Sequence, residues 1–212
     1  MLRPNEETIL GRSATLSGTH LSRNSGFSIV ELAVSMTVLL ILTAIAIPSL
    51  MRSLRTYQLN DSASRLSDQL KFTRFEAVRR NTPVDLQMKL TGTDWTVWTD
   101  SINNGTVDPT EKQLIFTNFV TLLPAGTPPG PAAITTALGG AALTTKSGSN
   151  GSVTFDARGA IRVGGVVSSS VFVFYLGSTT NPEFGYRAVI LLPSGSTQIW
   201  TAQASGPWQQ IG

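Results

Sequence analysis

Glu31 is the one charged residue in an otherwise apolar run, FSIVELAVSMTVLLILTAIAI, residues 27–47. A carboxylate inside a bilayer costs about 2.5–3.5 kcal/mol on insertion scales, so it calls for a cationic partner. The residues just ahead can create one. Gly26 is a small residue at the border of the run, and a cut after it would free a cationic amine on Phe27. Phe27 and Glu31 are four residues apart, close to one helical turn, so the amine of one chain could meet the glutamate of a neighbour. This spacing points to processing followed by charge pairing, not to turnover.

The remaining residues offer little to catalysis. The chain has no Cys, and its only His is His20, inside the segment 1–26 that such a cut removes. That excludes thiolate nucleophiles, His-based triads and ordinary zinc sites. No Gly-rich phosphate loop with a Lys is present. Asp100, Asn103, Asn104 and Asp108 could offer oxygens to calcium. They lack the spacing of an EF-hand and read better as a turn rich in Asn and Asp. No enzymatic activity, cofactor or metal is expected.

The element that must carry Glu31 is a helix. Residues 27–47 would span roughly 30 Å at about 1.5 Å each, the thickness of a bilayer core. Arg23 precedes the run, on the side expected to stay in the cytoplasm. An ordinary secretory signal loses its apolar region because cleavage follows it. Here the small residue comes first, so the anchor would stay on the mature chain.

Gly26-Phe27-Ser28-Ile29-Val30-Glu31-Leu32 resembles the class III prepilin signal of type IV pilins and type II secretion pseudopilins. The resemblance implies that a prepilin peptidase cuts after Gly26 and N-methylates Phe27. It implies that Glu31 recruits the subunit into a filament of other pilins or pseudopilins. Pro48 falls where many members have a helix-bending proline. The polar leader, residues 1–26, is longer than in many members. The competing reading is a plain signal anchor, with Glu31 incidental and Met1 retained.

Beyond Pro48 the pattern stays helical to about Arg80. Leu59, Ala63, Leu66 and Leu70 form one stripe at helical spacing. Leu50, Leu54 and Tyr57 make a similar stripe earlier, and Phe75 and Val78 extend the apolar face at the end. Thr82-Pro83 is a natural stop. The helix is basic: Arg52, Arg55, Arg65, Lys71, Arg74, Arg79 and Arg80 stand against Asp61, Asp68 and Glu76. Residues 81–212 hold six basic and seven acidic side chains, so the pI near 9.6 comes from the N-terminal third. Arg52 and Arg55 are placed to touch anionic headgroups.

From residue 83 the period switches to two, the mark of half-buried strands. Val84, Leu86, Met88 and Leu90 alternate; Gly92-Thr93-Asp94 turns into Trp95–Trp98; Lys112 to Leu122 reads as one strand. Residues 124–151, rich in Pro, Gly, Ala, Ser and Thr, read as a long loop. Strands follow at Ser152–Phe155, Ile161–Val163, Val171–Leu176, Tyr186–Leu192 and Thr197–Thr201, with the apolar VFVFYL looking central and buried on both faces. The expected fold is α+β and pilin-like. A long N-terminal helix, half transmembrane (27–47) and half amphipathic (48–82), packs on a mostly antiparallel head of seven or eight strands, residues 83–212.

SVTFDARGAIRVGG resembles the GspH/FimT minor pseudopilin domain, through the turn Phe155, Asp156, Arg158, Gly159 and a late hairpin, Arg187 to Gly195. The resemblance implies a minor pseudopilin, a structural subunit of a type II secretion pseudopilus or a type IV pilus that primes or caps assembly. It would sit in the inner membrane as a single-pass protein with its head in the periplasm, then join the filament. The alternatives are a pilus-tip subunit that binds DNA, or an adhesin using residues 124–151. FimT proteins linked to DNA uptake end their last hairpin in Gly-Arg-x-Arg, whereas this chain has Gly195-Ser196-Thr197-Gln198. With a near-neutral head, nucleic acid is not an expected partner.

Overall fold

The computed structural model describes residues 26–117 and 119–211. The leader reading therefore lies, apart from Gly26, outside the described residues. Helix α1 runs from Ile29 to Arg80 with Pro48 inside it. Twelve strands follow among the described residues: β1 (Val84–Thr91), β2 (Asp94–Asp100), β3 (Gln113–Phe116), β4 (Thr121–Leu123), β5 (Leu143–Thr145), β6 (Gly151–Phe155), β7 (Ile161–Val163), β8 (Val166–Val167), β9 (Val171–Gly177), β10 (Tyr186–Leu191), β11 (Thr197–Ala202) and β12 (Gln209–Gln210). A short helix α2 (Ala132–Ala137) lies between β4 and β5.

The chain divides into two compact units, 1–45 and 46–212. In the first, the described residues are the start of α1, whose side chains from Ile29 onward are exposed and mainly apolar. The second contains the rest of α1 and two sheets. One has the order β3-β2-β1-β6-β7-β8, the other β12-β11-β10-β9-β4. All pairings are antiparallel except β5, which joins β9 in parallel. The expected α+β architecture is present.

The stripe on α1 buries as its spacing demands. Leu59, Ala63, Leu66, Leu70 and Ala77 pack in one core with Val84, Leu86 and Phe155 from the first sheet and Phe172, Phe174 and Leu176 from the second. Burying each leucine fully contributes roughly 1.5–3 kcal/mol. The stripe then continues through polar residues. Ser67, Gln69, Thr73 and Glu76 are buried, whereas Phe75 and Val78, expected to extend the apolar face, are 59% and 49% exposed. Phe75 lies five residues on from Leu70 and so points away from the stripe, whose inward positions are Thr73 and Ala77, three and seven residues on. The earlier stripe, Leu50, Leu54 and Tyr57, is also exposed.

Three strand expectations are corrected. Leu90 is exposed beside the turn of the β1–β2 hairpin. Residues 112–122 are not one strand: β3 pairs with β2, while β4 pairs with β9 in the other sheet. Leu114, Phe116, Val120 and Leu122 are all buried, so alternation persists across a change of sheet. Residues 124–151 are not simply a loop. They contribute α2 and β5, and Ile134 is wholly buried in a second core with Val173, Tyr175, Ala188, Ile190 and Trp208. This core covers the outer face of the second sheet, which explains why every residue of β9 is buried. The strand count exceeds seven or eight because of that split and the short β5, β8 and β12.

Candidate functional site

The site has two parts, the start of α1 and the joint that holds its later turns to the head. At the start, Gly26, Phe27 and Ser28 precede the helix. Ser28 acts as a cap. Its Oγ accepts from Val30 N at 3.3 Å, and its carbonyl accepts from Leu32 N at 3.0 Å. A capping serine satisfies a backbone donor that the first turn would leave open. Phe27 is 81% exposed, and Glu31 is exposed in the first turn. An acid there is favoured by the helix dipole. Among the described residues Glu31 has no ion-pair partner within its own chain. Further along, Ser35, Thr37 and Thr43 return their hydroxyls to carbonyls four residues back, which hides polar groups inside the apolar stretch. Pro48 interrupts the hydrogen-bond ladder by removing one donor.

The joint is built from polar contacts set in the buried stripe. Gln69 Nε2 donates to Thr99 Oγ1 at 2.9 Å and to Lys112 O at 2.8 Å. Thr73 Oγ1 meets Thr99 Oγ1 at 2.7 Å, and Ser67 Oγ meets Thr197 Oγ1 at 2.7 Å. The first three contacts bind α1 to the first sheet and its approach to β3, the last binds it to the second sheet. Arg74 is held between two turns, one from each sheet. Its Nε donates to Gly159 O at 3.1 Å in the β6–β7 turn. A Cβ at Gly159 would lie 2.8 Å from Arg74 Nε, and one at Gly195 in the β10–β11 turn would lie 2.7 Å from it. Both glycines also have positive φ, 75° and 79°. Glycine is needed at both for space and for backbone conformation.

The turn expected at Phe155–Gly159 is wired through Asp156. Its Oδ1 accepts from Arg158 N and Ala160 N, each at 2.9 Å, and its Oδ2 accepts from Arg162 Nε at 3.2 Å. Burial pushes this carboxyl up, but the backbone donors of Ala160 and Arg158 and the Arg162 guanidinium outweigh it and hold the group below its usual range. Glu76 is similar. The hydrogen bond from Arg79 is the main cause that holds it low, burial opposes it, and Arg80 adds to the lowering. Arg79 and Arg80 meet it at 2.7 and 2.9 Å. Arg80 Nη1 also donates to Ser101 O at 3.0 Å.

Both carboxylates are depressed in the folded state. Their stabilisation is therefore complete above the unfolded values, about 3.9 for Asp and 4.3 for Glu, and is lost as pH falls through the folded ones. The urea midpoint of the protein in neutral detergent is expected to hold from neutrality to roughly pH 5 and to fall steeply below about pH 4. Glu76→Gln should flatten part of that acid limb. An unchanged acid limb in Glu76→Gln would show that Glu76 contributes nothing to it.

The Asn- and Asp-rich turn uses its oxygens internally. Asp100 accepts from Asn104 N at 3.1 Å and Gly105 N at 2.8 Å, and Glu111 accepts from Ser101 N at 2.7 Å and Asp108 N at 3.3 Å. Glu111 carried no signal in the sequence; it lies eleven residues beyond Asp100 and closes the same loop. Gln69 and Thr73 likewise carry no signal in the sequence, because isolated polar positions on a helix leave no periodic mark.

Residues 62–202 match the model of a family described as Type II transport protein GspH. Residues 21–47 match the model of the prokaryotic N-terminal methylation motif. No curated protein and no solved structure matched the chain.

Proposed function

Since the chain belongs to the GspH family of type II transport proteins and carries an N-terminal methylation motif, we propose that it is made as a prepilin, cut after Gly26, methylated on Phe27, and built into a type II secretion pseudopilus as a minor subunit that primes or caps it. The family is structural and non-enzymatic. The methylation motif implies processing by a prepilin peptidase, and the family implies pseudopilin partners.

The observation that carries the proposal is the way the two matches divide the chain, one ending at residue 47 and the other beginning at residue 62, both within α1. The methylation motif covers an exposed apolar segment with a single acid, and the GspH match begins at Ser62, where α1 enters the core. The apolar segment is long enough to cross a membrane, which fits storage in the inner membrane before assembly. Glu31 then has no partner until a neighbour's Phe27 amine arrives.

The DNA-binding alternative gains no support from the arginines nearest the head. Arg74 is engaged with Gly159, and Arg79 and Arg80 with Glu76. Glu76 offsets part of the charge of Arg79 and Arg80, and the tip of the last hairpin, Gly195-Ser196-Thr197-Gln198, brings no cation.

Two measurements test the proposal. Intact mass of the protein purified from its own cells is expected to correspond to a chain starting at Phe27 with one added methyl group; a chain starting at Met1 would refute processing. Deletion of the gene is expected to remove specific proteins from the medium and retain them in the periplasm. An unchanged secreted profile in a strain without a redundant copy would refute a role in secretion.

A further inference from the structure

Arg187 is the buried cation that the joint does not explain. It stands in β10 with 5% of its surface exposed, yet among the described residues no carboxylate lies within ion-pairing distance. Its bonds are to neutral groups: Nε donates to Asn60 Oδ1 at 2.6 Å, and Nη1 donates to Tyr186 O at 2.9 Å. A guanidinium has five N–H donors in a planar fork. Three therefore have no acceptor in the described chain, all of them on the terminal nitrogens. A buried charge without a counter-charge is costly, and since no atom of Arg187 is both buried and without a partner, the open donors reach solvent. Burial also pushes this guanidinium below its ordinary range.

Arg187 lines a cavity of about 350 Å³ together with Arg52, Thr56, Glu183, Phe184 and Gln203. Arg52 is exposed and makes no hydrogen bond or ion pair with the described residues. Glu183 is turned to Asn181, whose Nδ2 donates to it at 3.2 Å. Two guanidiniums and one carboxylate leave the cavity with a single net positive charge. That matches one monovalent oxyanion. The open edge of Arg187 suits the two oxygens of a carboxylate, and Thr56 and Gln203 can donate further hydrogen bonds. Glu183 disfavours a more highly charged phosphate.

We propose that Arg187 and Arg52 form a carboxylate-binding pocket that takes an Asp or Glu side chain from a neighbouring pilin-like subunit. The proposal rests on the reading of this chain as a filament subunit, because only a neighbour brought alongside α1 would present such a side chain to the cavity. The pocket would set the register of one head against the next. It would act independently of the Phe27–Glu31 pairing, which concerns the first turn of α1.

The test uses the full chain in neutral detergent and acetate as the probe. The unfolding midpoint, followed by near-ultraviolet circular dichroism, is compared in acetate and chloride at equal ionic strength. Ligand at ten times its dissociation constant is expected to raise the midpoint by about 3–5 °C. Arg187→Gln and Arg52→Gln should each abolish the acetate increment. Arg52 is exposed, so that variant folds even if Arg187→Gln does not. Equal midpoints in acetate and chloride for the native chain, or an increment that survives Arg52→Gln, would overturn the proposal. Protection by inorganic phosphate but not acetate would overturn it too and mark a phosphate site instead. This readout needs no filament, so it fails separately from the secretion and processing tests. Since the chain has no Cys, Gln203→Cys gives a single thiol beside the pocket. It is expected to form a disulfide with a Cys placed next to an acidic head residue of a co-expressed pseudopilin, and to lose it when Arg187→Gln is added. Cross-linking that is indifferent to Arg187→Gln would overturn the assignment to a neighbour.

Discussion

Glu31→Ala is expected to give a chain that is still cut after Gly26 and still inserted in the membrane, yet is missing from sheared filament fractions. Insertion does not suffer, because removing the carboxylate relieves a cost of about 2.5–3.5 kcal/mol. Recognition of the leader depends on the residues at the cut, and Glu31 lies four positions beyond Phe27. Folding of the head is untouched, since Glu31 makes no ion pair within the described chain. The loss falls on assembly. In the proposed filament the Phe27 amine of one subunit would enter apolar surroundings and need the carboxylate of the next. Removing one partner of a buried pair costs about 3–5 kcal/mol, two to nearly four orders of magnitude in subunit affinity. Glu31→Gln should behave like Glu31→Ala, because shape without charge cannot neutralise an ammonium. Shear fractions containing normal amounts of either variant would show that Glu31 is incidental to an ordinary anchor.

The parts of the molecule that could be read from the chain are those where one physical demand dominates. The apolar run 27–47 with one acid is unmistakable because a bilayer admits few alternatives. The stripe Leu59, Ala63, Leu66, Leu70 follows from helical geometry and burial alone, and VFVFYL follows from burial on two faces. The readings that failed did so where polar residues took apolar places or pairing changed while the pattern did not. Thr73 and Glu76 hold inward positions that belong by period to the stripe, and Phe75 and Val78 draw attention only by being apolar. The alternation of Leu114, Phe116, Val120 and Leu122 hides a passage between sheets, because side-chain period says which face a residue uses and not which strand it pairs with. The N-terminal methylation motif was legible in its residue types. The Arg74 joint was not, because it joins Gly159 and Gly195 from turns that are 36 positions apart in sequence.

Residues 124–151 look like a solvated insertion by composition, and Ile134→Ala decides whether they are one. Ile134 is fully buried on the outer face of the second sheet. The segment is tied down at both ends. Ser147 Oγ donates to Leu123 O and accepts from Tyr175 N at 2.8 Å. Lys146 N donates to Val173 O at 2.9 Å. Trp208 Nε1 donates to Pro129 O at 3.0 Å and its ring lies 5.7 Å from that of Tyr175. At Gly148, with φ of 84°, an added Cβ would meet the Pro124 backbone at 2.4 Å, so the two ends of the segment pass in close contact. Truncating a buried isoleucine to alanine removes its transfer energy and leaves a cavity, about 2–5 kcal/mol. That is a large share of the roughly 5–15 kcal/mol that holds a domain together. Ile134→Ala is therefore expected to lower the urea midpoint sharply, and Ile134→Val to cost only about 0.5–1.5 kcal/mol. An exposed site in a mobile insertion would change stability by less than about 0.5 kcal/mol in either variant. The larger loss would make the segment the cover of the second core, and deleting it would then expose Val173, Tyr175 and Ile190 and destroy the head. Attachment lost in such a deletion would report unfolding, not the removal of an adhesive loop. Only exposed substitutions on the segment, made without touching Ile134, can test an adhesive role.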